Sequence, residues 1–276
     1  MADISQFMTK KENKTHDAIF TQSKTELPRP HLGLSQIGHP CKRYLWLYHR
    51  WAFTQTISKR IQLLFERGEK EEKKVIRELK NISIKTYGEQ KEIVTAWGHV
   101  KGHIDGICKG VLEAPKTSHL FECKTMADKY FNQIKKSRSV KVTKPIYYSQ
   151  CQAYMHGLKL KRALFVAVNK NTDEWYIERI KYDKYHANAL FMKADEIVTA
   201  ETLPPIEKPF KRTWYECKFC DAYDFCYHEK PYEINCRTCR YVEKRVDGVW
   251  VCRDIGRKMN PCEQAVPCQH YEPIEG

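Results

Sequence analysis

The chain has 276 residues, of which 42% are hydrophobic and 30% charged, with 48 Lys and Arg against 34 Asp and Glu for a formal charge of +14. That is one sizeable domain with an appendage, or two modest domains, and no run approaches the roughly 20 apolar residues of a membrane-spanning helix. The polar start MADISQFMTKKENKTH carries no apolar signal stretch, so the chain reads as intracellular, and its basic balance suits a polyanionic partner, nucleic acid first.

Residues 1–30 are polar, end in ELPRPH and read as a loosely ordered arm. The basic, aromatic stretch LGLSQIGHPCKRYLWLYHRWAF follows and predicts a helix after Pro40. SKRIQLLFERGEKEEKKVIRELK (58–80) is an amphipathic helix, with Ile61, Leu64, Phe65, Gly68, Val75, Ile76 and Leu79 on one face. Glu72 lies at the centre of that apolar face, and Gly68 one turn earlier is expected to admit another backbone or a ligand.

Strands are expected at 92–97, 99–108 and 119–125, with Gly98, Gly110 and Pro115 at the turns. A helix is expected over 144–158 with Pro145 in its first turn. A hairpin over 162–169 and 174–180, a helix over 184–201 and a proline-rich linker over 202–212 complete the order. This succession predicts an α/β core whose sheet is covered by helices.

The stretch HLFECKTM (119–126) places Glu122 and Lys124 on one face of an otherwise apolar strand. Asp105, in GHIDGI, lies on the preceding strand, and the short connection makes the two strands neighbours. Two carboxylates plus a backbone carbonyl, that of Cys123, form a hard oxygen site suited to Mg²⁺ or Mn²⁺. Glu72 is in reach from its helix, and Lys124 is placed to activate a water or steady a phosphate. Together these parts describe metal-assisted phosphodiester hydrolysis. The bland alternative is a salt-bridged core.

Asp105, Glu122 and Lys124 resemble the signature of the PD-(D/E)XK nuclease superfamily, with Ile104 where a Pro usually stands. RGEKEE resembles the helix motif of the RecB-like branch, with Glu72 where His is frequent. YYSQCQAYM resembles that branch's Q-x-x-x-Y motif, giving Gln150 and Tyr154 one helical turn apart. The resemblance implies a restriction-endonuclease-like core, a mixed central sheet flanked by helices, and a divalent-metal-dependent DNA exonuclease. Its implied substrate is single-stranded DNA or DNA with free ends, in recombination, repair or replication and with a possible protein partner. Gln150, Tyr154, His103, Lys42 and Arg43 are then expected to contact DNA, with Arg60, Trp46 and Trp51 nearby for charge and stacking. A non-catalytic DNA-binding accessory protein and an endonuclease are the alternatives on the same fold.

Twelve cysteines are many for an intracellular chain, and eight of them follow residue 216, so ligation of metal or a cluster explains them better than disulfides. Cys217, Cys220 and Cys226 need a fourth ligand, for which Cys41 is the candidate. This set resembles the iron–sulfur branch of the RecB-like nucleases, which includes AddB and the CRISPR-associated adaptation exonucleases, and implies a 4Fe–4S cluster stapling the C-terminal segment to the N-terminal helix. A structural Cys₄ zinc site is the competing reading. Cys236 and Cys239 open a second set that reads as structural zinc. The tail resembles the zinc-binding extensions of phage-type nucleases, which implies ligands Cys236, Cys239, Cys252 and Cys268, with Cys262 or His270 as alternates. The expected organisation is therefore an arm over 1–30, a nuclease domain with an iron–sulfur cluster over 31–230, and a small zinc-ribbon-like tail over 231–276. Cys108, Cys123 and Cys151 read as small buried apolar groups.

Overall fold

In the computed structural model, residues 14–21, 28–53 and 57–274 are described. Most of the expected N-terminal arm lies outside them. Within it, Lys14–Phe20 forms a short helix, α1. After strand β1 (Leu32–Gly33), helix α2 (Lys42–His49) starts where Pro40 ends the extended chain, and the Cys41 Sγ caps it by accepting the Tyr44 N–H. Helix α3 (Lys59–Asn81) is capped by Ser58. No helix among the described residues is long and apolar enough to cross a membrane.

Strands β2 (Lys85–Tyr87), β3 (Glu92–Thr95), β4 (Val100–His103), β5 (Gly106–Lys109) and β6 (His119–Met126) follow. The single strand expected at 99–108 is broken at Ile104 and Asp105, and its two halves belong to different sheets. β4 sits between β1 and β3, whereas β5 joins the main sheet. Helices α4 (Asp128–Ser137), α5 (Val140–Thr143) and α6 (Pro145–Leu158) lead to the hairpin of β7 (Arg162–Asn169) and β8 (Trp175–Lys181), then to α7 (Lys184–Thr199).

The main sheet has the order β2-β5-β6-β7-β8, parallel between β6 and β7 and antiparallel elsewhere. Helices cover it, so the architecture is the mixed α/β type the sequence predicts. The central pair β6 and β7 is buried almost throughout, which is why RALFVAVN reads as an unbroken apolar run. On one face Phe121, Cys123, Leu164, Val166 and Val168 pack with Val75, Ile76 and Leu79 of α3. On the other, Leu120, Ala163, Phe165 and Ala167 join the core built with α2, α6 and α7. Only the C-terminal half of α3 is buried, and Leu63 and Phe65 are exposed. Among the described residues nothing comes within 4 Å of a Cβ at Gly68, so no other backbone uses the space there.

Beyond the linker, short helices α8 (Tyr215–Lys218) and α9 (Tyr223–Tyr227) precede a three-stranded antiparallel sheet of β9 (Val242–Lys244), β10 (Trp250–Cys252) and β11 (Arg257–Met259), and then α10 (Pro261–Ala265). Its core is only Val242, Trp250 and Met259 with Cys236 and Cys252 against them. The tail is nevertheless fastened to the rest. The buried Arg237 guanidinium lies 3.8 Å from the Trp51 ring and 4.5 Å from that of Trp250. It donates to the carbonyls of His49 and Pro30 and to Gln264.

Candidate active site and cysteine centres

Alternation along β6 turns Glu122 and Lys124 toward α6, with Phe121 and Cys123 toward α3. β5 pairs with β6 only as far as Phe121. Past that point Asp105, released from both sheets, takes over, its Oδ2 accepting the Cys123 N–H at 2.8 Å. The break in the expected strand is therefore what aims Asp105 at Glu122.

Glu122 is fully buried. Its Oε1 accepts from the Lys124 ammonium and from the Gln150 amide at 2.7 Å. Its Oε2 is buried with no hydrogen-bond partner among the described residues. Burial pushes its carboxyl up to about 8, with Lys124 opposing and Asp105 adding to the rise. Burial would lower the Lys124 ammonium, but the Glu122 and Asp105 charges outweigh it and hold it above its ordinary value. The two trends pull a shared proton opposite ways. We place it on Lys124, because that ammonium has two acids beside it and the Tyr147 ring 5.7 Å away. Glu72, on α3, is close enough to feel the charges of Asp105 and Lys124. Burial, then Asp105, raises its carboxyl to about 7, while Lys124 lowers it.

Glu122 thus carries a buried oxygen without a partner among the described residues, and the charges of Asp105 and Glu72 are felt there. Uncompensated charge in such a place costs several kcal/mol, and a hard divalent cation is the group that an all-oxygen donor set of this kind suits. Among the described residues no three His, Cys, Asp or Glu side chains are drawn tightly enough to form a ready metal-binding group. The fit therefore rests on the orphaned oxygen and the chemistry of its neighbours.

Several expected DNA contacts are placed otherwise. Gln150 is 5% and Tyr154 2% exposed, so neither reaches a strand. The Tyr154 hydroxyl engages Gln150, which holds Glu122. Tyr154 also lies over Gly102, where an added Cβ would stand 2.7 Å from its ring. Lys42 is paired with Glu196 at 2.9 Å and Glu207 at 3.3 Å, and Arg43 donates to the Pro204 carbonyl. Trp46 and Trp51 are core residues and offer no stacking face. His103 is exposed at the end of β4, 3.7 Å from Glu92 on β3. The role of Gln150 as a brace for Glu122 went unseen in the sequence, although its i, i+4 spacing from Tyr154 put both on one helix face.

Cys41, Cys217, Cys220 and Cys226 line one cavity of about 400 Å³ between the start of α2 and helices α8 and α9. They feel one another electrostatically, and burial raises the Cys41 and Cys226 thiols and pushes that of Cys220 up to about 11. Cys236, Cys239, Cys252 and Cys268 line a second cavity with His270 and Asp254. Burial and the three neighbouring thiols push Cys236 up to about 11. Cys262 is exposed and does not line that cavity, and His270 bonds Asp254 at 2.8 Å.

No family model and no curated protein matches the chain. Among solved structures it is similar to LHK-Exo in complex with dAMP, with a TM-score of 0.45 and 16% identity over 61% of this chain and 86% of that one. It is similar to the alkaline exonuclease LHK-Exo from Laribacter hongkongensis, with a TM-score of 0.46 and 14% identity over 62% and 87%. It is also similar to SSO0001, with a TM-score of 0.42 and 18% identity over 82% and 97%.

Proposed function

We propose that this chain is a divalent-metal-dependent deoxyribonuclease, an exonuclease acting on single-stranded DNA or free DNA ends. The observation that carries the reading is Glu122 Oε2, buried and without a partner among the described residues, with the charges of Asp105 and Glu72 close enough to raise its carboxyl. Asp105, Glu122, Glu72 and the Cys123 carbonyl would hold Mg²⁺ or Mn²⁺. When bound, the cation supplies neutralisation of charge on the scissile phosphate and acidification of water.

The chain's own residues do the rest. Gln150, steadied by Tyr154, fixes Glu122 Oε1 and leaves Oε2 for the cation. Lys124 keeps its proton beside two acids and offers it as a donor to the attacking water or a phosphate oxygen. The test is digestion of 5′- and 3′-labelled single and double strands in Mg²⁺ and in Mn²⁺. Metal-dependent release of short products from an end is expected. Binding without cleavage in either metal would instead indicate a non-catalytic DNA-binding protein, and cutting of closed circular DNA an endonuclease.

The same proposal assigns Cys41, Cys217, Cys220 and Cys226 to a 4Fe–4S cluster, supported by their shared cavity at the junction of α2 with the C-terminal segment. Anaerobically purified protein should be brown with about four irons per chain. Colourless protein holding zinc at these thiols refutes it. Cys236, Cys239, Cys252 and Cys268 are assigned to a structural zinc, with Cys262 and His270 outside the ligand set. Loss of zinc from Cys262→Ser with retention in Cys268→Ser would reverse that choice.

A further inference from the structure

Between the core and the tail lies a cavity of about 480 Å³ whose lining includes Arg50, Lys244, Arg240, Arg253 and Trp97. Its acids are Glu201 and Glu243. Glu243 is taken by Arg245 at 2.8 Å, and Arg240 by Glu272 at 2.8 Å. Arg50, Lys244 and Arg253 therefore face Glu201, an excess of positive charge. Arg50 is 3% exposed. Its terminal nitrogens donate to the carbonyls of Arg237 and Ala200, but its Nε is buried without a partner among the described residues. Among the described residues Lys244 donates to the Ala200 carbonyl and Arg253 to the Arg240 carbonyl, with no carboxylate hydrogen-bonded to either. Burial and the nearby Arg50 bring the Lys244 ammonium down to about 7, a position an anion would reverse.

Trp97 stands at the mouth. Its indole is 51% exposed, on a residue in the left-handed region with φ of 56°. It also lines a second cleft with Lys101. Its turn is pinned to the tail, since a Cβ at Gly98 would come within 2.4 Å of the Gly248 nitrogen, and His99 bonds the Arg245 carbonyl at 2.8 Å. A large aromatic face held in solvent beside an under-neutralised cationic cavity matches a nucleotide with an unpaired base. A duplex keeps its base faces stacked, and bare phosphate has no use for the indole.

We infer that this cleft is an accessory binding site for single-stranded nucleic acid, with a backbone phosphate at Lys244 and Arg253, the buried Arg50 charge behind them, and a base stacked on Trp97. It lies apart from the acid cluster and rests on the nuclease reading only in naming DNA as the strand. The test is fluorescence anisotropy with labelled oligothymidylate and with an abasic strand of equal length. Full-length protein in the Lys124→Ala background is used, so that cleavage does not interfere.

Trp97→Ala and Arg253→Gln should each weaken oligothymidylate binding about tenfold. Arg253→Gln should also weaken the abasic strand, and Trp97→Ala should not. Trp97→Phe keeps an aromatic face and should retain most of the affinity, which separates stacking from loss of fold. Parent-level binding in both Trp97→Ala and Arg253→Gln overturns the site, as does equal affinity of the parent for the two strands. Tighter binding of an acidic peptide than of the oligonucleotide would overturn it in favour of a protein partner. If the chain cleaves no DNA while these differences hold, the nuclease reading falls and this site stands.

Discussion

The acid cluster and the C-terminal tail solve opposite problems. Glu122 and Lys124 sit on the central strand of a five-stranded sheet packed on both faces, with Asp105 beside it at the break between β4 and β5. There the fold holds charges that would otherwise be hydrated. The tail has three buried apolar side chains and a cavity lined by four thiols, too little apolar burial to hold a fold unaided. On the proposed reading, structure positions the acids in the first region, and a bound metal would support the structure in the second. Changes at the first should therefore remove chemistry and spare folding, and changes at the second should do the reverse.

The sharpest break of that contrast is Lys124→Ala. Cleavage should fall about 100- to 1,000-fold with strand binding retained, measured by turnover of end-labelled DNA beside anisotropy. Full activity would dismiss Lys124 from the chemistry. Gln150→Ala should lower divalent-cation affinity about 10- to 100-fold by releasing Glu122, read by metal titration. A variant that binds cation normally but loses DNA affinity would return Gln150 to substrate contact. At the tail, Cys236→Ser should leave the acid cluster's cation affinity intact yet lower the thermal midpoint by about 5 °C or more, followed by circular dichroism. An unchanged midpoint there would mean that the tail folds without its thiols.

The smallest effect is a pH dependence. The Glu72 carboxyl is raised from its ordinary value to about 7, so the folded state holds this proton more tightly than the unfolded chain. Cation-free protein should lose stability as pH rises from the ordinary carboxyl range through about 7. Added Mn²⁺ should restore more stability at the alkaline end than at the acid end. Glu72→Gln should flatten this dependence in thermal melts, and an identical profile in parent and variant would count against Glu72 facing the cation.

What the sequence made legible followed from periodicity and punctuation. Glu122 and Lys124 had to share a face because strand side chains alternate, and Ser58 and Pro145 marked helix starts that the structure keeps. What it hid was tertiary. GHIDGIC alternates as smoothly as any strand, and nothing local shows that Asp105 leaves one sheet before the chain enters another. Gln150 and Tyr154 had the right helical face, but a buried amide bracing a carboxylate looks in sequence like one reaching for a phosphate. Trp46 and Trp97 each stand among apolar and basic residues, and only packing decides that the first is core and the second half in solvent.

The gap at Asp105 has a mechanical corollary. A carboxylate carried on the joint between two sheets takes its position from both, so it registers their alignment as a vernier does. Loosening the small β1-β4-β3 sheet, at Val100 for instance, leaves every acid in place chemically. It shifts Asp105 against Glu122 all the same, and the loss would appear as a poorly set cation long before the protein unfolds.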